Sequence, residues 1–518
     1  MRVQNSIKNM IFSLANNIVT SVLGFISRTI FIYTLGKSYL GISALLQNVF
    51  GLLAISELGI STAIGFSLYK PLAENNKRLI STLMTIYKKA YRIIAILILS
   101  LGIVLYNYLD FFVDPSQQPK EIFYIYFMYL LNIVIGYFLS YKTTLISSDQ
   151  KAYELVPIQI KINIGTLLLQ ISYLLIFKEY LGYLAIQILS SIIINFIQNR
   201  FITSKYSDID FKSMNRLPEH EKKSITKNIS GLMIAKLGDF CVNSTDNLII
   251  SKFVDLGAVA IYSNYILLRN LVNGYIGILF GSITAGFGNL VAEGNEKKSL
   301  EVFNVLFFVS FIVYSFESVS FICLLNPFIE DLWVGSEYIF SFNIVLAIVI
   351  NNYLTGLRMP IITMKSAAGI YLEDAWVPFG FAIINLSVSI ILGKYLGVLG
   401  VIIGSIIGSL CTADWYRPIV IFKKVFKVSS WQYFKNYIKY IILGMAYMII
   451  SVNICNLIVF SNVWINFIIK CLICVILPNM ITIILFHNTK EFKYLYSVSK
   501  NMINDKNTKS MRKRFNEN

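Results

Sequence analysis

The sequence predicts an all-α polytopic membrane protein, and three observations carry that prediction. Of its 518 residues, 56% are hydrophobic and only 14% charged, against roughly 45–50% apolar and about 25% charged in soluble chains. The mean hydropathy is +0.65. The apolar residues come in long continuous runs, not ten-residue alternations, which favours spanning helices over a membrane β-barrel. The same composition excludes disordered, collagen-like and coiled-coil chains.

A spanning helix needs about 20 mostly apolar residues. Fourteen runs qualify: 10–34, 40–69, 84–109, 121–141, 155–177, 182–200, 228–252, 258–288, 302–325, 339–364, 375–393, 397–420, 438–459 and 464–486. The second and eighth are long and hold glycines (Gly51, Gly59, Gly65; Gly274, Gly277, Gly281) at which they can tilt or kink. Lys and Arg set the orientation. With the N-terminus in the cytoplasm, most of the 45 Lys and Arg fall on the inner side, from Lys70 to Arg92, Arg200 to Lys227, Lys423 to Lys439 and Lys490 to Arg514. Only Lys37, Lys120, Lys178, Lys252 and Lys394 lie outside. Both termini are therefore expected in the cytoplasm. Orientation accounts for the net charge of +17, so the bilayer is the expected partner and no nucleic acid is.

The chain repeats itself. Lys8-Asn9 opens helix one and Lys227-Asn228 opens helix seven. Ala73-Glu74-x-Asn76 is echoed by Ala292-Glu293-x-Asn295, and Tyr180-Leu181-Gly182-x-Leu184 by Tyr395-Leu396-Gly397-x-Leu399. These echoes divide the chain into a six-helix lobe (1–200), a cytoplasmic linker (201–227), a second six-helix lobe (228–422), two accessory helices (423–487) and a basic tail (488–518). An even number of helices per repeat gives both copies the same orientation. The expectation is a pseudo-two-fold axis along the membrane normal, with a substrate site between the lobes.

Ionisable groups at mid-span cost about 2.5–3.5 kcal/mol on insertion scales, so each faces a partner or a wet cavity. Ser13, Asn17, Thr20, Gly24 and Arg28 share one face of helix one; Lys236, Asp239, Asn243 and Asp246 share one face of helix seven; Asn351, Thr355 and Arg358 align in helix ten. Arg269 lies roughly 16 Å into helix eight, and Glu57 and Glu317 add acidic groups in helices two and nine. Competing structural readings exist: Arg28 and Arg358 are near enough to helix ends to snorkel, and Lys236 can neutralise Asp239. Arg28, Arg269, Arg358 and Lys236 form the candidate cationic cavity. Guanidinium suits phosphate because its planar fork matches the oxygens and its charge survives desolvation. Asp239, Asp246, Glu57, Glu317, Asn385 and Asn17 form the candidate polar and cation-coupling set. Asp239 with Asn385 is the expected site for Na⁺ or H⁺, because Asp239 and Asp246 stand about 10 Å apart along the axis, too far to share one ion.

Other chemistries find little support. Two histidines, His220 and His487, stand far apart, and the six cysteines are scattered. Cys471-x-x-Cys474 lies in the last apolar run and reads as two small hydrophobes, not as a redox or zinc motif. No Gly-x-x-x-x-Gly-Lys-Ser/Thr motif occurs, so no nucleotide or other cofactor is expected.

At this point the chain resembles a known family. A basic first loop, Ser56-Glu57-Leu58-Gly59-Ile60-Ser61, Pro327-Phe328-Ile329 with Leu332-Trp333-Val334-Gly335, and the doubled Tyr-Leu-Gly-x-Leu are similar to bacterial polysaccharide flippases. These belong to the multidrug/oligosaccharidyl-lipid/polysaccharide exporter superfamily, and the likeness covers nearly the whole chain. The resemblance implies a non-enzymatic flippase in the bacterial cytoplasmic membrane. Its cargo would be an undecaprenyl-pyrophosphate-linked oligosaccharide for capsule or O-antigen assembly, moved by alternating access. It implies polysaccharide polymerase and chain-length proteins as partners, and basic residues in helices one, eight and ten, where Arg28, Arg269 and Arg358 stand. The rival readings are a cation-coupled drug antiporter, which usually has twelve helices, and an oligosaccharide polymerase, which needs larger outer loops than this chain has.

Overall fold

The computed structural model describes residues 2–53, 60–211, 245–292, 295–370, 373–497 and 500. Among these there is no strand. The long helices are α1 (Arg2–Leu53), α2 (Ile60–Ala73), α3 (Lys77–Tyr106), α4 (Ile122–Leu139), α5 (Val156–Phe177), α6 (Tyr180–Lys205), α7 (Asp246–Phe253), α8 (Leu256–Ala292), α9 (Glu296–Pro327), α10 (Phe342–Leu357), α11 (Val377–Leu396), α12 (Val398–Cys411), α13 (Trp431–Leu457) and α14 (Val463–Phe486). Eleven helical stretches among the described residues are long and apolar enough to cross a membrane. Expected helices one and two lie in α1 and α2; most of expected helix seven falls outside the described residues, as do Glu57, Lys236 and Asp239.

Several boundaries follow from local chemistry. α1 leaves helical geometry at Gly36 (φ 78°, ψ −169°), a conformation that glycine adopts without the Cβ penalty. Asn76 and Asn295 each cap a helix, accepting the backbone N–H of Leu79 and of Lys298, both at 3.1 Å. The repeated Ala-Glu-x-Asn thus starts α3 and α9 alike. The repeated Tyr-Leu-Gly does not act alike. Gly182 lies inside α6, where a Cβ would stand 2.0 Å from the Tyr173 ring, whereas Gly397 (φ 59°) turns the chain between α11 and α12. Expected helix ten is two helices, α10 and Met359–Ala368, joined at Arg358 ahead of Pro360. Expected helix twelve is also two, α12 and Ala413–Ile421, broken at Thr412 (φ −131°, ψ −79°).

Contacts group the chain into two compact units, Met1–Leu271 with Ala375–Gly408, and Val272–Asp374 with Ser409–Asn518. In the first, α3 buries Leu83, Tyr87, Tyr91, Ile94, Ile98 and Gly102 at helical spacing, and leaves Ile93, Ile96, Leu97, Leu101 and Val104 exposed. An apolar outer face on a helix with a buried inner one suits lipid as solvent. Gly400, Gly404 and Gly408 line one face of α12 against α11, and at Gly404 an added Cβ would meet Ser389 Oγ at 2.1 Å. Small residues at this spacing let the two backbones approach closely.

In the second unit α9 is the central helix, buried on nearly every face. Phe303, Phe307 and Phe311 recur every four residues and meet Tyr433, Tyr440 and Tyr447, which recur every seven on α13. Phe311 stacks on Tyr440 with ring centroids 4.4 Å apart. Phe486 of α14 closes the cluster against Phe308 and Phe311. Such pairs contribute about 0.5–1.5 kcal/mol each beyond area burial.

Candidate functional site

Three polar assemblies lie within the helical units. The first is a cavity of about 360 Å³ among α1, α5 and α6. Thr20, Gly24 and Ser27 line it from α1, Asn163, Thr166 and Gln170 from α5, and Tyr183, Gln187, Ser190, Ser191 and Asn195 from α6. None of the residues lining it carries a charge. Ser27 Oγ lies 3.1 Å from Tyr183 Oη, and Gln170 donates to the Tyr183 carbonyl at 3.3 Å. Among the described residues, no protein group bonds the side-chain amides of Asn163 or Gln187. The α1 stripe read from the sequence does border this cavity, through Thr20 and Gly24; Asn17 is exposed beside it. The α5 and α6 contributions carry no charge and so do not stand out in the sequence. Spacings of three and four, from Asn163 to Gln170 and from Tyr183 to Asn195, were the signal that could have found them.

Arg28 sits one residue beyond the cavity lining. Its Nε donates to Asn264 Oδ1 at 3.0 Å, and an Nη donates to Ser263 Oγ, both on α8. Arg269 follows on the same helix, roughly 8 Å further along its axis. An Nη of Arg269 donates to Asn270 Oδ1 at 3.3 Å, and the guanidinium acts electrostatically on Asp246 and Tyr262. Two of the four expected cavity cations therefore belong to one unit and meet the same helix.

The second assembly surrounds Asp246 at the start of α7. Tyr262 Oη donates to one carboxylate oxygen at 3.0 Å and Ser405 Oγ to the other at 3.4 Å. Asn385, 1% exposed, donates to Ser405 Oγ at 2.8 Å, and Thr245 donates to Asn385 Oδ1 at 3.4 Å. The carboxylate that meets the Asn385 network in the structure is Asp246. Asp239, paired with Asn385 in the sequence reading, lies outside the described residues.

The third assembly, in the other unit, joins the two helix breaks. Arg358 Nε stands 3.2 Å from Asp414 Oδ1; the side chains are 11% and 4% exposed. Arg358 also donates to Ser409 Oγ at 2.7 Å and to Thr355 Oγ1 at 2.8 Å, and Tyr437 donates to Asp414 at 3.1 Å. The face shared by Thr355 and Arg358 is as read from the sequence. The counter-ion was not read, because Asp414 lies on a different helix. Asp414 occupies the first turn of its helix, where the N-terminal dipole favours a carboxylate. Arg417 is also partnered: with Lys365 it holds Asp374, at 2.8 and 2.7 Å. Glu317 is buried in α9, 3% exposed, in the vicinity of Tyr314.

Residues 6–285 match the family described as polysaccharide biosynthesis protein. No curated protein matches the sequence. The chain is similar to the inward closed conformation of the lipid II flippase MurJ, at 14% identity and a TM-score of 0.63, over 92% of this chain and 99% of that one. It is similar to the inward-facing conformation of a multidrug resistance MATE family transporter of the MOP superfamily, at 14% identity and a TM-score of 0.60, over 81% and 99%. The outward-facing conformation of such a transporter gives 16% identity and a TM-score of 0.51, over 81% and 95%. These likenesses establish a fold that MurJ and MATE transporters share. With more than half of its length matched, this chain belongs to the polysaccharide biosynthesis protein family.

Proposed function

We propose that the protein is a transporter that moves undecaprenyl-pyrophosphate-linked oligosaccharide from the inner to the outer leaflet of the bacterial cytoplasmic membrane, for capsule or O-antigen assembly. The observation that carries this reading is the uncharged cavity among α1, α5 and α6. Small-molecule pockets are mostly apolar. Here hydroxyls and amides, each able to donate and accept, are interleaved with Leu23, Leu167 and Ile194, which suits a sugar, a ligand of hydroxyl groups on apolar ring faces. Arg28 and Arg269 supply guanidinium for the pyrophosphate. Family membership supports the pathway, and the fold is one on which a lipid II flippase is built. In this reading both termini are cytoplasmic, access alternates between the two leaflets, and polymerase and chain-length proteins act on the delivered units.

Coupling to Na⁺ or H⁺ is assigned to Asp246, the carboxylate that meets the Asn385 network. No ATP motif occurs, so return of the empty cationic site draws on the membrane potential, about 2.3 kcal/mol per charge per 100 mV, and on the bound cation. Asp246→Asn should abolish ion dependence of transport while cargo binding persists.

The test uses cells deleted for the chain and the purified protein. Deletion should leave lipid-linked repeat units on the cytoplasmic face and remove surface polysaccharide, with both effects reversed on re-expression. Proteoliposomes should then move the lipid-linked oligosaccharide unaided. Unchanged surface polysaccharide together with lost export of a cationic dye would install the drug-antiporter reading instead.

A further inference from the structure

Cys323 of α9, Cys455 of α13 and Cys474 of α14 converge in the second unit, with all three sulfurs within 4.8 Å of one another. They are 7%, 2% and 1% exposed. The sequence places Cys323 more than a hundred residues before the other two and pairs Cys474 with Cys471; the fold instead brings together one thiol from each of three helices. We propose that Cys323, Cys455 and Cys474 form a three-sulfur site for a soft monovalent metal ion of the Cu(I) class.

The geometry fits such an ion. A thiolate–metal bond of about 2.3 Å places three trigonal sulfurs about 4 Å apart, inside the observed limit, so the ion seats without separating the helices. The number of ligands chooses among metals. Structural zinc closes a tetrahedron with four ligands, and iron–sulfur clusters take four cysteines. Among the described residues no fourth His, Cys, Asp or Glu joins this group, and soft thiolates without harder ligands select Cu(I).

Charge fits as well. Lys470 lies one turn before Cys474 on α14 and acts electrostatically on both Cys323 and Cys455. A lysine seven residues into an apolar helix is costly in lipid. Loading one monovalent ion onto three thiolates releases three protons to solvent and leaves a charge of −2, half of which Lys470 offsets. The loaded ion would tie the α13–α14 hairpin to α9 at a level separate from the aromatic cluster.

The experiment uses the full-length protein, reduced and in detergent. Anaerobic titration with Cu(I) against a chromophoric Cu(I) chelator should show one tight equivalent, and X-ray absorption should show a shell of three sulfurs. Ag(I) should raise the thermal midpoint of the wild type. Cys455→Ser and Cys474→Ser should each lower Cu(I) affinity at least 100-fold, whereas Cys411→Ser should bind as the wild type does. The unfolding shift of the wild-type protein keeps the proposal testable where a serine variant misfolds. Absence of tight binding to the wild type, Zn(II) binding as tight as Cu(I), or a disulfide between any two of the three in protein isolated from cells would each overturn it.

Discussion

Arg358 and Asp414 hold each other across two helix breaks, with Nε 3.2 Å from Oδ1 and both side chains nearly inaccessible. Removing one partner of a buried pair strands the other, at a cost of about 3–5 kcal/mol, whereas replacing both with apolar groups is often neutral. Arg358→Ala should therefore lower the thermal midpoint sharply, and Arg358→Met/Asp414→Leu should recover most of it. An unchanged midpoint in the single variant would show that the pair contributes nothing to stability.

Gly404 tests the close approach of α11 and α12. A Cβ there meets Ser389 Oγ at 2.1 Å and the Ser389 backbone nitrogen at 2.8 Å, while one at Gly165 meets nothing within 4 Å. Overpacking costs about 1–3 kcal/mol. Gly404→Ala should reduce stability in detergent and Gly165→Ala should not. Equal behaviour of the two would remove the steric argument.

The neutral cavity and the arginines should separate in binding. Gln187→Leu should weaken binding of the lipid-linked oligosaccharide about tenfold, the equivalent of one net hydrogen bond, and leave glycan-free undecaprenyl pyrophosphate untouched. Arg269→Ala should weaken both ligands, with Arg269→Lys intermediate because charge survives without the fork. Microscale binding with each ligand distinguishes these outcomes; equal losses for both ligands in Gln187→Leu would take the sugar away from the cavity.

Acid should release the exposed tie between Lys77 and Asp208, whose Nζ and Oδ2 are 2.5 Å apart. The hydrogen bond from Lys77, aided by its charge, holds the Asp208 carboxyl below its ordinary value. A depressed carboxyl contributes stability above its unfolded pKa and loses it as pH falls through the folded one. The gap in thermal midpoint between the wild type and Asp208→Asn should close on acidification and shrink in high salt. A gap that widens in acid would contradict this sign.

Much of the helical order was legible because hydropathy and capping act locally. The break at Gly36 falls between expected helices one and two, and Asn76 and Asn295 reveal one repeated cap. What the sequence concealed depends on partners distant along the chain. Arg358 showed its charge but not Asp414, and Cys474 suggested Cys471 where the fold supplies Cys323 and Cys455. The cavity of α5 and α6 was missed for another reason: Ser, Thr, Asn and Gln are individually ordinary in membrane helices, and only three such faces turned toward one another make a site.

The aromatic contacts of α9 with α13 and α14 also set a schedule for biogenesis. α9 leaves the ribosome roughly 160 residues before α14 is complete, a delay of about 8–30 s at bacterial and eukaryotic elongation rates. Until α13 emerges Phe307 and Phe311 lack Tyr433 and Tyr440, and Phe308 and Phe311 lack Phe486 to the end of the interval. The last hairpin is thus the step that completes the second unit. A chain cut short after residue 430 would reach the membrane with its central helix unclad, a form that quality-control proteases can recognise.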